Sequence, residues 1–163
     1  MIDALDARLI TLLRSEPRIG VLEASRRLGV ARGTVQARLD KLVERGVITS
    51  FGPEVDPAAL GFDVMAFVTL EISQPRGHEV LVEHLAAVPE VIEAHTITGS
   101  GDVLLRVVAR SNADLQRVID RVVQAEGIMR SSSVIALETQ VAYRVDPLVQ
   151  AAGQASTGSI QAT

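Results

Sequence analysis

The chain is predicted to be α+β, with an N-terminal helix-turn-helix (winged-helix-like) domain followed by a C-terminal ferredoxin-like βαββαβ sandwich. Three observations carry that prediction. Residues 1–50 place apolar side chains at helical spacing, with a turn signal at Gly29. Residues 51–61, Phe-Gly-Pro-Glu-Val-Asp-Pro-Ala-Ala-Leu-Gly, break that periodicity with two prolines and two glycines. Beyond them the pattern runs strand, helix, strand, strand, helix, strand. The expected organisation is therefore a helical domain over 1–50, a hinge over 51–61, a sandwich over 62–146 and a disordered tail over 147–163.

The first helix follows from Leu5, Leu9, Leu12 and Leu13, with Asp3 or Asp6 available as its cap and Pro17 just past its end. A second helix buries Val21, Ala24 and Leu28, and Gly29 stands where a left-handed cap is needed. The third, residues 31–45, has Val35, Leu39, Leu42 and Val43 on its apolar stripe. Val47, Ile48 and Thr49 are β-branched and directly follow Gly46, and predict a strand leaving the domain.

At about 100° per residue, the face of the third helix opposite Val35 carries Gly33, Thr34, Gln36, Ala37, Asp40 and Lys41, with Arg38 on its flank. A helix entering the DNA major groove needs small residues for close approach and a few side chains able to read base edges. Gly33 and Ala37 meet the first need. Thr34, Gln36 and Arg38 meet the second, while Arg32 and the helix N-terminus are placed to hold phosphate. Lys41 completes the expected DNA-binding set. A plain three-helix bundle with a solvated third helix is the other reading of the same pattern.

In the second half, alternation around Val64, Ala66, Val68, Leu70 and Ile72 predicts a strand over 62–73. A helix over 76–88 turns Val80, Leu81, His84, Leu85 and Val88 to one side and ends at Pro89. Strands over 91–98 and 102–110 are joined by Gly99, Ser100 and Gly101. A helix over 112–126 buries Leu115, Val118, Ile119, Val122 and Val123, and a last strand covers about 132–144. The turn Thr98, Gly99, Ser100, Gly101, Asp102 exposes backbone N–H groups suited to a carboxylate, and Asp102 is suited to an ammonium group. Those two features together would fit a free amino acid. A glycine-rich hairpin that is only a turn is the competing reading.

Charge is divided unevenly. Residues 1–50 hold nine Arg or Lys against six acids, whereas the remainder holds seven basic and fourteen acidic groups, giving a net −4. A small polyanion-binding head on an acidic body follows from that split. Three phenylalanines, one tyrosine and no tryptophan weigh against modules that stack bases on aromatics. The lack of cysteine removes disulfides and thiolate metal sites. His78, His84 and His95 are too scattered for a metal site, so no metal or cofactor is expected. Neither the carboxylate pairs Glu79/Glu83 and Glu90/Glu93 nor the three serines 131–133 have partners in sequence that would make catalysis. A basic n-region, a signal core and a bilayer-length apolar run are all missing from the chain, so a cytoplasmic protein without membrane partner is expected.

Taken together, Ile2-Asp3, Asp6, Leu9-Ile10, Arg18-Ile19, Leu28-Gly29-Val30, Thr34-Val35, Arg38-Leu39, Leu42, Gly46-Val47-Ile48 and Thr98-Gly99 with Asp102 resemble the Lrp/AsnC (leucine-responsive/asparagine-responsive, feast/famine) transcription regulators. The resemblance covers about residues 2–146. It implies a DNA-binding N-terminal domain and an amino-acid-sensing body that forms homodimers, with dimers assembling further into octamers. Effector would bind at the glycine–aspartate loop, with Ser131 and Ser133 in the small polar segment nearby. The partners implied are double-stranded DNA, a small amino-acid effector and a second copy of the chain. Three positions depart from the family pattern. Ala31 replaces the usual capping serine, whose bond is worth about 0.5–2 kcal/mol; Gly33 replaces a polar residue; and Val103 replaces an aromatic. The alternative function is an architectural, nucleoid-type DNA binder with a vestigial pocket. A ferredoxin-like enzyme is disfavoured, since nothing catalytic converges.

Overall fold

The computed structural model describes residues 2–73 and 78–158. The chain divides into two compact units, one from Met1–Pro53 with Val141–Thr163 and the other from Glu54–Gln140. The first boundary lies inside the stretch expected as a hinge.

The first unit is helical among its described residues: α1 (Ala4–Ser15), α2 (Val21–Leu28), α3 (Arg32–Glu44) and a C-terminal α6 (Asp146–Gly158). Asp3 caps α1 in a reciprocal box. Its side chain accepts from the Asp6 N–H at 2.9 Å while the Asp6 carboxylate accepts from the Asp3 N–H at 3.0 Å. Gly29 ends α2 in the left-handed region at φ 71°, as its position predicts. Leu9, Ile10, Ala24, Leu28, Val35 and Leu42 form the buried centre, with Leu39 and Ile48 packed at its edge. Val43, expected on the same stripe, is exposed.

Two further expectations fail in this unit. Residues 47–49 form no strand; the Val47 and Ile48 amides instead fold back onto the Leu42 carbonyl at 2.9 and 3.1 Å. β-branched propensity makes an extended segment, but a strand also needs a pairing partner. The disordered tail expected over 147–163 is also corrected: residues 147–158 belong to α6, and 159–163 lie outside the described residues. Packing explains the helix. Val149 joins the core of the unit, Asp146 pairs with Arg14 at 2.6 Å, and buried Gly153 lets the backbone of α6 press against Ala7 of α1. Docked small residues supply what periodicity and charge do not.

The second unit carries a four-stranded antiparallel sheet in the order β2-β3-β1-β4, built from β1 (Val64–Ile72), β2 (Val91–Thr96), β3 (Val103–Ala109) and β4 (Ile128–Ala136). With α4 (His78–Ala86) after β1 and α5 (Asn112–Val122) after β3, this is the predicted βαββαβ order. Ala66, Val68 and Leu70 alternate inward and meet Leu81 and Leu85 of α4 and Leu115, Val118 and Val122 of α5 in one core. Val80, expected on that side, is exposed. β4 begins and ends earlier than the predicted 132–144, because its pairing with β1 runs only from Ile128 opposite Ile72 to Ala136 opposite Met65. Among the described residues no helix is long and apolar enough to cross a membrane.

Candidate nucleic-acid interface and effector loop

α3 presents the predicted face outward. Arg32, Gly33, Thr34, Gln36, Ala37, Asp40 and Lys41 are all exposed, while Val35 and Leu42 anchor the opposite side. At its start, Ala31 has extended backbone and no side-chain cap, so the first N–H groups of α3 beyond the Ala31 carbonyl's reach keep their donors for a ligand. Gly33 lies in open space, where an added Cβ would meet nothing within 4 Å. Its smallness therefore serves no contact within the chain.

Ion pairing separates the cations of this unit. Arg14 is paired with Asp146, Arg26 with Glu23, and Arg27 with both Glu16 and Glu23. Those hydrogen bonds and charges raise the Arg27 pKa further above its already high value. Arg8 donates to the Leu28 carbonyl at 3.2 Å. Among the described residues, Arg32 and Lys41 are paired with no carboxylate and stand on the outward face of α3. Gln36 donates its amide N–H to Asp40 at 2.8 Å, one turn along.

Arg38 is placed differently from its neighbours. Its Nη1 donates to Asp3 Oδ2 and to Asp6 Oδ1, each at 2.6 Å, and its side chain is half-buried. Its hydrogen bonds to these two carboxylates raise its pKa, against the opposing effect of burial. For Asp3, burial disfavours ionisation, but the Asp6 N–H and the Arg38 guanidinium outweigh it and hold the carboxyl below its usual range. Asp3 and Asp6 escape notice as site residues because sequence periodicity sees only their capping role. Together with Ile2, Gly33, Thr34, Ala37, Arg38, Lys41 and Arg45 they line an open cleft of about 630 Å³.

In the second unit, residues 97–102 connect β2 and β3. Ile97 N–H donates to the Asp102 carbonyl at 2.9 Å, closing the loop, and Thr98, Gly99 and Ser100 line its outer edge. Asp102 N–H donates to the Leu70 carbonyl at 2.9 Å, while Asp102 Oδ2 accepts from Ile72 N–H at 2.8 Å. One carboxylate oxygen thus fastens the loop to the end of β1, at the register shift between Glu71 and Ile72. Gly101 is buried, and a Cβ there would overlap Thr69 Cγ2. Close approach, rather than a positive φ, requires glycine at this position.

Leu70, which holds the loop, lies opposite Ser131, Thr69 lies opposite Ser132, and Val68 lies opposite Ser133. Ser131 and Ser133 consequently share the face of Leu70 and Val68. Ser132 shares the opposite face with Thr69, beside Gly101. Sequence reading passes over Thr69 and Ser132, because only the strand register brings them to the loop. His84 holds a structural position, its Nε2 2.8 Å from the Arg121 carbonyl. His95 is exposed near Glu93, and the His78 side chain lies outside the described residues. No group of three or more His, Asp or Glu among the described residues is arranged for a metal.

Comparison with known proteins matches these two regions to two family models. Residues 2–49 match a winged helix-turn-helix DNA-binding model, and residues 64–145 match the Lrp/AsnC ligand binding domain. An HTH-type transcriptional regulator of Pyrococcus abyssi is 30% identical over 82% of this chain and 85% of its own. The structure of Escherichia coli AsnC superposes with a TM-score of 0.82 at 27% identity, covering 90% of this chain and 99% of that one. A feast or famine regulatory protein from Mycobacterium tuberculosis, solved with L-methionine, gives a TM-score of 0.77 at 26% identity over 88% and 97%. The chain belongs to the Lrp/AsnC family of helix-turn-helix transcription regulators.

Proposed function

We propose that this regulator binds DNA sequence-specifically through α3 and that a small amino acid, held at the loop 98–102, changes its assembly or its DNA affinity. The observation that carries the reading is the outward face of α3. Arg32 in its first turn and Lys41 in its last have no carboxylate partner among the described residues, and Arg32, Gly33 and Thr34 stand at an uncapped helix N-terminus. Such a surface offers phosphate contacts and close backbone approach together. Thr34 and Gln36 are then the base readers, with Gln36 keeping its amide oxygen and second N–H for a base edge after its bond to Asp40.

For the effector, support comes from the match of 64–145 to a ligand-binding domain and from the L-methionine bound to the mycobacterial neighbour. Gly99, Ser100 and Gly101 supply backbone N–H groups for the carboxylate. Asp102 supplies negative charge for the ammonium group, using the oxygen not engaged by Ile72. Ser131, Ser133 and, by register, Ser132 lie on the strand next to β1.

Self-association is the third element. The face of the sheet away from α4 and α5 carries Met65 and Phe67 of β1, Leu104 of β3 and Val134 of β4. Phe67 is 39% exposed and Val134 67%, which is consistent with a second copy covering this face. A two-fold dimer presents two copies of α3 to half-sites roughly one helical turn apart.

Fluorescence anisotropy tests the reading on a duplex selected from a random pool by the unmutated protein. Thr34→Ala and Gln36→Ala should each weaken that binding by roughly 1–3 kcal/mol. Unchanged affinity in both, with folding intact, removes α3 as the reader. Asp102→Asn keeps an acceptor for Ile72 and loses the charge, so it should abolish amino-acid response while leaving unliganded DNA binding intact.

A further inference from the structure

Arg38 stands in the middle of α3, one turn after Thr34 and three residues before Lys41. By residue type it would be the strongest base reader of the helix, since guanidinium matches the guanine edge. Its surroundings point elsewhere. Nη1 lies 2.6 Å from Asp3 Oδ2 and 2.6 Å from Asp6 Oδ1. The other oxygen of each carboxylate is occupied by the cap of α1, Asp3 Oδ1 by the Asp6 N–H and Asp6 Oδ2 by the Asp3 N–H. All four oxygens are thereby used. We infer that Arg38 is a positioning residue of the DNA-reading helix, locked by Asp3 and Asp6, and is not one of its base readers.

The inference rests on α3 being the DNA-facing helix, and three further points carry it. Asp6 is 9% exposed, so withdrawing the guanidinium would strand a buried carboxylate beside a second one only a few ångströms away. Both carboxylates also line the cleft that Gly33, Thr34 and Lys41 share. Two anions facing a polyanion oppose binding, and Arg38 offsets one of those charges only while it stays in place. Finally, the lock joins the N-terminus of α1 to the centre of α3. It therefore fixes the rotation of α3 about its own axis, and with it the direction in which Thr34 and Lys41 point.

The sign of an Asp3 substitution separates the two roles. If Arg38 reads bases, Asp3→Asn frees it and removes a negative charge from the DNA-facing cleft, so affinity rises. If Arg38 positions α3, the same change loosens the lock and affinity falls despite the favourable change in charge. Asp3 is the more exposed of the two carboxylates, so this variant is the one best placed to fold.

Affinities should be measured for the pool-selected duplex and for a scrambled duplex of equal composition, at a temperature where circular dichroism shows every variant fully folded. Loss of stability alone does not move these readings. Arg38→Ala should weaken both duplexes by about tenfold, the worth of one charged hydrogen bond, leaving their ratio nearly unchanged. Arg38→Lys, which keeps one ion pair, should recover part of that loss. Asp3→Asn should weaken both duplexes in the parent but not in the Arg38→Ala background, where no lock remains and removing a negative charge from the cleft should recover some affinity. Collapse of the selected-to-scrambled ratio in Arg38→Ala, or tighter binding by Asp3→Asn in the parent, overturns the inference and makes Arg38 a reader. If Thr34→Ala, Gln36→Ala and Lys41→Ala all bind as the parent does, the DNA-facing reading of α3 fails and the inference falls with it.

Discussion

Gly101 gives the sharpest test of how the effector loop is held. Replacing glycine by alanine at a compatible backbone position ordinarily stabilises a protein by about 0.4–1 kcal/mol, because the unfolded chain loses freedom. Gly101 has no positive φ, so its backbone raises no objection to alanine. Space does. The new Cβ would overlap Thr69 Cγ2 and lie 3.3 Å from the Leu70 carbonyl oxygen. Thr69 is β-branched and stiff at χ1, so it cannot simply swing away. The loop cannot retreat either without stretching the 2.9 Å bond from Asp102 N–H to that same carbonyl. Overpacking of this kind costs typically about 1–3 kcal/mol, which reverses the ordinary sign. For a unit the size of Glu54–Gln140, each kcal/mol lowers Tm by about 4–8 °C. Thermal unfolding of the full chain should therefore show a drop of several degrees for Gly101→Ala. Adding Thr69→Ser, which deletes the offending methyl, should recover most of it. A Gly101→Ala protein that melts at or above the parent temperature would refute the packing of this loop on β1.

Other consequences follow the same logic. Gly153→Ala should gain roughly 1 kcal/mol of helix propensity if α6 were free, yet its Cβ would stand 2.5 Å from Ala7 Cβ; a lower Tm in scanning calorimetry supports the docking of α6 on α1, and a higher one contradicts it. Lys41→Ala should weaken selected and scrambled duplexes alike and reduce the slope of log affinity against log salt by about one, whereas a sequence-dependent loss would mark Lys41 as a base reader. The depressed pKa of Asp3 sets an acid-side dependence. A folded pKa below the unfolded value, near 3.8, contributes stability that is complete above that value and is lost as pH falls through the folded one. Chemical denaturation should thus be nearly flat from about pH 7 to about 5 and weaken below about 4, with Asp3→Asn showing a shallower acid decline; an unchanged decline would remove Asp3 as its source.

The βαββαβ order and the three N-terminal helices are legible in the sequence because each element buries one periodic face. Ala66, Val68 and Leu70 announce a strand, and Ala24 and Leu28 followed by Gly29 announce a helix and its turn. What escapes depends on partners distant in sequence. The end of β4 is decided by where β1 begins, so the apolar alternation beyond Ala136 finds no neighbour to pair with. α6 has no apolar stripe to reveal it, since the contacts that hold it include a glycine against Ala7 and an ion pair to Arg14. The lock on Arg38 joins residues more than thirty positions apart, and nothing in helical periodicity tells an arginine held by a distant cap from one that is free. The same limit hides Ser132, which only the register with Thr69 brings to the loop.

Coupling between amino-acid binding in the second unit and DNA binding by α3 is the central claim. The most direct measurement is anisotropy of a labelled, pool-selected duplex titrated with the protein in the presence of each common amino acid, with light scattering run in parallel to read assembly. Coupling of the usual size, about 1–3 kcal/mol, corresponds to a shift in DNA affinity of roughly 5- to 150-fold. Such a shift, or a change of assembly, is expected for at least one amino acid, together with its loss in Asp102→Asn. Identical titrations with every amino acid, at concentrations where calorimetry shows one of them bound, would contradict it.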